Sequence, residues 1–583
     1  MLLTKLAEQS IKDHSYVEAE LGWAYGELGR VFADDAGRPI GFSGREEAMP
    51  AKISLWAAAL GLVLCPVWGQ AQQHHDHAQG ASPSAATLGE VHFPVSCTLE
   101  AQVAFDEAMK LQHSFWYQAA GEAFRRVRER DPTCVMAYWG EAMALLVNPF
   151  TVTTATNLRQ GRAVLEEAQR IGARSEREAG FIAALSQLYG NDDPAMHRSR
   201  LEWYEQAMSR LYEQFPDDPE VGIHYALALA MAAPPTDKTY ARQMRAAEIL
   251  EQAWARQPQH PGIAHYLIHT YDTPALAARG VAAAERYAEI AADAPHALHM
   301  PSHIFTRIGR WEDSIETNRR SAETARARQA VFDEIHALDY MMYGYLQTGQ
   351  IEAAGGVATD LGRFASWTAP APIFAWALTV MPARFALERG AWEEAAALTP
   401  GQQTAPLVVA NTHFARAVGM ARTGRPDVAA ADIEALKAAA AALRSSDAYW
   451  AEQTEILRLA AEAWVAFART QDDQAVTTMH EAAEREGRTD KHPVTPGPLF
   501  PAREQLAEML LIMGRYAEAQ REYEAVQTTE PGRFRAVYGA ARAAELGGDG
   551  EAARRHYAHL LDVAARAQPG LAEVEHARAF LSR

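Results

Sequence analysis

The chain has 583 residues, of which 48% are hydrophobic and 22% charged, and its formal net charge is −19. This length and composition are typical of a globular protein with a large core. The acidic balance, with no basic block, argues against nucleic acid as a partner, because phosphates are bound by clusters of lysine and arginine.

The N-terminal region differs in character from the rest of the chain. A second methionine, Met49, precedes a short basic start, an apolar run at 53–68 and small residues after that run. This order is typical of a secretory signal, and the run is short for a membrane span. We expect residues 1–48 to be a spurious upstream extension, residues 49–71 a signal peptide, and the mature chain to have no transmembrane span. The alternative is a genuine extension with a membrane anchor at 53–68.

Residues 72–92 are mostly Gln, His, Ala, Ser, Pro and Gly, which predicts a flexible linker. The linker carries three histidines and an aspartate at 74–77, which fit a solvated tail or a loose metal site.

Removal of the signal leaves two cysteines, Cys97 and Cys134. They lie near the starts of the first helices of adjacent repeats, and two cysteines in an exported chain can pair. We expect a disulfide and a periplasmic or secreted protein. The alternative is two buried thiols.

Helical repeats begin near Val95. Bulky, small and terminating residues follow the tetratricopeptide (TPR) pattern from the first repeat onward: Phe105, Ala108, Tyr117, Ala120, Phe124 and Pro132. No segment alternates like a strand. The predicted fold is all-α, a right-handed TPR-like superhelix of helix hairpins (an α-solenoid). Its parts are an N-terminal array at 93–365, central helical repeats at 366–490, and a Pro-rich strap with C-terminal repeats at 491–583.

Prolines interrupt the helical pattern at three places. Pro301 and Pro382 each lie eight residues before a glycine that ends a first helix, where a proline should kink that helix or mark its start. The segment 491–501 is rich in proline and should be non-helical. It can fold over the groove of the solenoid as a lid or strap.

Histidines recur at helical and repeat spacing in the middle of the chain. His265 and His269 are four residues apart, as are His299 and His303, so each pair shares a helix face. The second pair follows the first by 34 residues, the length of one TPR repeat. The two pairs therefore occupy one register in consecutive repeats.

The next repeat continues this register. Relative to the glycine that ends its first helix, the positions of His296, His299 and His303 are taken by His336, Asp339 and Tyr343. First helices line the concave face of a TPR array, and neighbouring helices lie about 8–10 Å apart. Side chains of three successive helices can therefore converge on one point.

Five stretches of the chain resemble a family of exported bacterial TPR-repeat proteins: His-Ser-Phe-Trp-Tyr at 113–117, Asp-Pro-Thr-Cys-Val-Met-Ala-Tyr-Trp-Gly at 131–140, His-Ala-Leu-His-Met-Pro-Ser-His-Ile-Phe at 296–305, His-Ala-Leu-Asp-Tyr at 336–340 and Pro-Val-Thr-Pro-Gly-Pro at 493–498. The resemblance spans about residues 93–560. It implies the fold and export, and it assigns no reaction.

Two histidine pairs with a carboxylate are typical of metal sites built on helices. The expected ligands are His265, His269, His299, His303, His336 and Asp339. Imidazole ligands without cysteine favour a divalent transition metal such as Zn, Cu or Fe. Two alternatives remain for the same residues: a pH-sensitive polar groove without metal, and a purely structural hydrogen-bond network.

Several further residues are candidates at this site. Asp272 follows His269 by three residues and can orient an imidazole. Tyr343 can donate to a bound ligand, and Arg384, in the next repeat, can anchor an anionic group or form a surface salt bridge. These three are the catalytic candidates. Further groove candidates are His296, His224 and His113.

Two functions fit these patterns. The first is an exported metal-binding protein, or a metal-dependent hydrolytic or oxidative enzyme that acts on a small molecule in the groove. The second is a non-catalytic periplasmic TPR scaffold that binds a peptide or protein partner. The sequence does not decide between an enzyme and a binding protein.

Overall fold

A computed structural model describes residues 88–369, 371–401 and 404–583. The expected upstream extension, the signal peptide and its alternative membrane anchor, and most of the linker lie outside the described residues. Everything described belongs to one compact unit. Within these ranges the secondary structure is helical and contains no strand, so the predicted all-α class is confirmed. No helix in the described ranges is long and apolar enough to cross a membrane.

The first part of the array contains ten α-helices and two short 3₁₀ helices. The α-helices are α1 (Leu99–His113), α2 (Tyr117–Arg130), α3 (Val135–Ala144), α4 (Ala155–Ile171), α5 (Glu176–Leu188), α6 (His197–Gln214), α7 (Pro219–Ala232), α8 (Ala241–Arg256), α9 (Pro261–Tyr271) and α10 (Val281–Ile290). The 3₁₀ helices are Pro194–Met196 and Ala277–Gly280.

The remaining helices follow in the same alternating order. They are α11 (Pro295–His299), α12 (Pro301–Arg307), α13 (Trp311–Ala327), α14 (Val331–Gln347), α15 (Ile351–Asp360), the 3₁₀ helix Leu361–Phe364, α16 (Pro372–Glu388), α17 (Trp392–Ala397), α18 (Pro406–Arg422), α19 (Ala430–Leu443), α20 (Ala448–Ala468), α21 (Asp472–Gly487), α22 (Ala502–Ile512), α23 (Tyr516–Thr529), α24 (Phe534–Gly547), α25 (Gly550–Val563) and α26 (Ala572–Leu581).

The helix starts follow from local sequence. Proline occupies the first position of α7, α9, α11, α12, α16 and α18, where its missing N–H has no partner to lose. Polar side chains cap other helices: the Thr98 hydroxyl accepts from the Ala101 N–H, and the Asp218 carboxylate accepts from the Val221 N–H. Successive helices pack against one another, which gives the TPR-like α-solenoid.

Both ends of the solenoid contact its central helices. The indole N–H of Trp311 donates to the Gly532 carbonyl at 2.9 Å, and the Gln568 N–H donates to the Gly349 carbonyl at 3.0 Å. At the other end, α1 packs against α9. A Cβ on Gly262 would lie 2.4 Å from Nδ1 of His113, so only glycine allows these two helices to approach so closely here.

The expected disulfide is confirmed. Cys97 lies just before α1, and Cys134 immediately precedes α3. Their Cα atoms are 5.0 Å apart and their sulfurs are bonded. The bond ties the first helices of two neighbouring repeats.

The three proline-containing places behave differently. Pro301 has no N–H for the carbonyl four residues earlier, so one helix ends at His299 and the next begins at Pro301. Pro382 lies inside α16, which begins ten residues earlier at Pro372, so it does not mark a helix start. The segment 491–501 is non-helical as predicted. It crosses α14, where the Tyr340 hydroxyl donates to the carbonyls of Pro493 and Thr495 at 3.1 and 3.0 Å.

Candidate metal site

Six histidines lie together where α9, α11, α12 and α14 meet, in two groups of three. We call His265, His269 and His296 the first trio, and His299, His303 and His336 the second trio. Within each trio, one ring nitrogen of every member lies within 4.8 Å of the others. Each trio takes a pair with i, i+4 spacing from one repeat and its third histidine from the next repeat.

In the second trio, neighbouring side chains fix which nitrogen of His303 is protonated. The Nδ1 of His303 lies 2.8 Å from Oδ2 of Asp272. Because a carboxylate only accepts, Nδ1 carries the proton and Nε2 keeps its lone pair. Burial lowers the pKa of His303, although Asp272 opposes that effect.

The same argument holds for His299. Its Nδ1 lies 2.6 Å from Oδ1 of Asn318, and the Asn318 amide N–H₂ donates to the Ser314 carbonyl at 2.7 Å. That second bond fixes the amide orientation, so Oδ1 faces the ring and accepts its proton. The Nε2 of His299 therefore also keeps its lone pair.

These two lone pairs face each other. The Nε2 atoms of His299 and His303 are 3.0 Å apart. Two acceptors at this distance need a positive group between them, either a proton or a metal ion. Burial, followed by the proximity of His303, holds the pKa of His299 well below its usual range, which disfavours the proton.

His336 completes the second trio from α14. Its ring lies 4.2 Å from that of His299, centre to centre, and stacks on Phe332 at 5.5 Å. Its Nδ1 is buried and has no hydrogen-bond partner among the described residues. Burial and the neighbouring His299 hold the pKa of His336 well below its usual range, so a third neutral imidazole faces the pair.

The first trio has a related arrangement. His265 Nδ1 donates to the His113 carbonyl at 2.6 Å, which leaves a lone pair on Nε2, and His296 Nε2 lies 3.2 Å from that atom. Neither ring nitrogen of His269 has a hydrogen-bond partner within the described ranges, although both are buried. The Phe115 ring lies 4.2 Å from the ring of His265 and packs on the other two imidazoles, so an apolar group covers this trio.

Asp272 connects the second trio to the strap. Its Oδ2 accepts from His303 and from Nζ of Lys491 at 2.8 Å each, and its Oδ1 accepts from Nε of Arg307 at 2.9 Å. Burial acts to raise the pKa of Asp272, but Lys491 and Arg307 hold it well below the usual range. A carboxylate with these three partners orients an imidazole, as proposed from the sequence, but that imidazole lies on α12 and not on α9, the helix that Asp272 follows.

Asp339, expected as the sixth ligand, joins neither trio. It forms a buried ion pair with Arg384, and both side chains are fully inaccessible to solvent. Burial raises the pKa of Asp339 to about 6 against the opposing effect of Arg384. The Asp339 carboxylate therefore pairs with Arg384, and the sixth member of the histidine cluster is His296. Arg384 likewise forms a buried pair and not the alternative surface salt bridge.

Tyr343 shares the sequence register of the histidines but contacts the C-terminal repeats. Its hydroxyl donates to Oε2 of Glu530 at 2.9 Å and accepts from Nη1 of Arg533 at 3.1 Å. Arg533 is itself held by Glu504 and Glu388 in a buried network. The phenol is thus engaged where the C-terminal repeats dock, and it does not reach the trios.

A third group contains two of the expected groove histidines and two residues that sequence reasoning missed. Glu220 accepts from His260 at 3.0 Å and lies 3.4 Å from Nε2 of His113, while His224 Nδ1 donates to the Glu220 carbonyl at 2.8 Å. Burial acts to raise the pKa of Glu220, but His260 and His113 hold it well below the usual range. This group supports the first trio, because the His113 carbonyl orients His265.

No family model and no curated protein matches this chain. The chain is similar to the apo form of the quorum sensor NprR from B. thuringiensis, at 11% identity and a TM-score of 0.35, over 75% of this chain and 99% of that one. It is also similar to NprR in complex with its cognate peptide NprX, at 14% identity and a TM-score of 0.35, over 74% of this chain and 99% of that one. A third similar structure is the human IFIT1 dimer with m7Gppp-AAAA, at 11% identity and a TM-score of 0.36, over 74% of this chain and 90% of that one. Likeness at this level leaves the function to be argued from the residues of this chain.

Proposed function

We propose that the protein is a metalloprotein that holds a transition-metal ion on the second trio, His299, His303 and His336. The observation that carries the proposal is the pair of Nε2 lone pairs, 3.0 Å apart, whose tautomers Asp272 and Asn318 fix. Two nitrogens bound to one tetrahedral zinc ion lie about 3.3 Å apart, since Zn–N bonds are about 2.0–2.1 Å. The spacing of the His299 and His303 Nε2 atoms is close to that value, which supports the proposal.

The neighbours of the trio also suit a metal. A ligating histidine usually donates its other ring N–H to a carboxylate or carbonyl, which sets the ring orientation and raises the basicity of the ligand. His303 does so to Asp272 and His299 does so to Asn318. Three imidazoles favour Zn, Cu or Fe among the divalent transition metals.

We further propose that the protein is a metal-dependent enzyme, hydrolytic or oxidative, that acts on a small molecule. Three protein ligands leave a fourth position for water or substrate, which is how catalytic zinc sites differ from structural ones. Asp272 would act by orienting His303. Tyr343 and Arg384 are committed to Glu530 and Asp339, so we assign them no step in a reaction.

The test is the metal content of the full chain and of the double variant His299→Ala/His303→Ala. The matched control removes two exposed histidines, His480→Ala/His559→Ala. After incubation with zinc or copper and extensive dialysis, wild type and control should retain metal, and the site variant should lose one ion per chain. Retention of the same amount by the site variant, or no metal in any of them, would overturn the proposal. The second result would favour the non-catalytic scaffold that binds a peptide or protein partner.

We also propose that the protein is periplasmic or secreted, as in the exported bacterial family that it resembles. The Cys97–Cys134 disulfide supports this, because such bonds persist in oxidising compartments. Deletion of the apolar run at 53–68 should then retain the protein in the cytoplasm with free thiols. Export of the deletion variant would contradict the proposal.

A further inference from the structure

We infer that the first trio is a second metal position, and that the two trios together form a paired, all-imidazole centre for two copper ions. The inference rests on the function proposed for the second trio and adds a second ion, a relation between the two ions, and the identity of the metal.

The first trio has donors ready for a metal. The bond from His265 Nδ1 to the His113 carbonyl leaves Nε2 free to coordinate, and His296 Nε2 lies 3.2 Å away. Both nitrogens of His269 are buried without a partner among the described residues. Buried polar atoms are nearly always hydrogen-bonded, so an unpaired imidazole beside two others points to a ligand that it binds.

The two trios are adjacent. The rings of His269 and His303, one from each trio, lie 5.5 Å apart between centres, and those of His296 and His299 lie 5.9 Å apart. Within the first trio, the rings of His265 and His296 are 5.0 Å apart, so the separation between trios is nearly as small as that within one. Two ions bound in these positions would be close neighbours, as in two-metal enzyme sites.

The chemistry of the donors favours copper. All six are imidazoles, with no carboxylate or thiolate among them. Imidazole suits zinc, copper, iron and nickel, and copper binds most tightly of the divalent series. Neutral donors leave the charge of each ion uncompensated, and the buried charges beside the second trio, Arg307 and Lys491 against the single carboxylate of Asp272, already sum to one positive charge. The energy of burying an ion rises steeply with its charge, and copper can enter as a monovalent ion.

Copper stoichiometry and electron paramagnetic resonance (EPR) of the full wild-type chain test the inference without any variant. The chain loaded with copper should hold two ions. After oxidation to Cu(II), the two spins should interact, which appears as a half-field transition or as a spin intensity below the copper content.

Variants then separate this inference from the proposal on which it rests. His265→Ala/His269→Ala should bind one copper with the spectrum of an isolated ion, and His299→Ala/His303→Ala should also lose one copper. The control His480→Ala/His559→Ala should keep two interacting ions, and far-UV circular dichroism checks that each variant folds. One copper in the wild type, lost only with His299 and His303, would overturn the pair and leave the single site. Two ions with independent spectra, or binding of zinc but not of copper, would also overturn the inference.

Discussion

His299 and His303 meet across a break between two helices, with their Nε2 atoms 3.0 Å apart. Pro301 lies between them and ends the hydrogen bonding of α11, yet the rings still face each other. Each ring donates its other N–H to a partner from a different element, Asn318 of α13 or Asp272 after α9. The pair is therefore held by tertiary contacts and not by helix spacing alone.

Asp272→Asn should weaken metal binding at the second trio by about 10–100-fold, because the ring of His303 loses the carboxylate that orients it. The number of ions bound at saturation should not change. Metal titration of the variant measures this, with Asp313→Asn as the control, since Asp313 belongs to a partly exposed pair with Arg310. Equal affinity of the Asp272 variant and wild type would show that the carboxylate does not tune the ligand.

Asp339→Asn should destabilise the fold by about 3–5 kcal/mol, because it leaves the buried Arg384 without its counter-ion. It should leave the metal content unchanged, because Asp339 lies in neither trio. Urea unfolding and metal analysis of the same preparation measure both effects. Loss of an ion from this variant would restore Asp339 as a ligand.

Replacing both Asp339 and Arg384 should lower the free energy of unfolding much less than replacing Asp339 alone. Asp339→Leu/Arg384→Met removes the isolated charge, and apolar replacements of buried ion pairs are often neutral or stabilising. The free energy of unfolding of the double variant should exceed that of Asp339→Asn. A double variant as unstable as the single one would mean that the pair has a role beyond compensating its own charges.

Glu486→Gln should reduce the pH dependence of stability. Burial and the nearby Glu530 raise the pKa of Glu486 to about 8 from an ordinary value of 4.5. Between these values the folded state binds more protons than the unfolded chain, so the free energy of unfolding should fall as the pH rises through this window. Urea unfolding at pH 5, 7 and 9 should show a smaller fall for the variant. Parallel curves for the two proteins would refute the assignment.

Reduction of the Cys97–Cys134 bond should lower the free energy of unfolding by about 2–5 kcal/mol, because the bond closes a loop between residues 37 apart. Cys97→Ser/Cys134→Ser should have the same stability with and without reductant. Urea midpoints measured in both conditions check this. A wild-type midpoint that is insensitive to reductant would contradict it.

Sequence periodicity predicted the fold and singled out five of the six histidines that cluster in the structure. Repeat spacing and the terminating prolines indicated the hairpins, and the 34-residue step from His265 to His299 placed two histidine pairs in consecutive repeats. The disulfide and the non-helical strap also followed from composition. These features follow from short motifs or from the repeat period itself, so patterns in the sequence suffice to find them.

Two expected site residues, Asp339 and Tyr343, have other partners in the structure. The register of a residue predicts which face of a helix it lies on, but it does not predict which side chain from another element it will contact. Asp339 pairs with Arg384, 45 residues later in the chain, and the Tyr343 hydroxyl donates to Glu530, 187 residues later. For Tyr343 the partner comes from the C-terminal repeats, which the curl of the solenoid brings back to α14 without a periodic signal in the sequence. Glu220 was also missed, although its spacing of four residues from His224 on α7 was a signal that could have found it.

Anomalous X-ray scattering from crystals of the metal-loaded full chain tests the metal site most directly. A peak about 2.0–2.2 Å from the Nε2 atoms of both His299 and His303 is the expected result. Continuous protein density with no peak between those rings, in crystals grown with saturating zinc or copper, would contradict it.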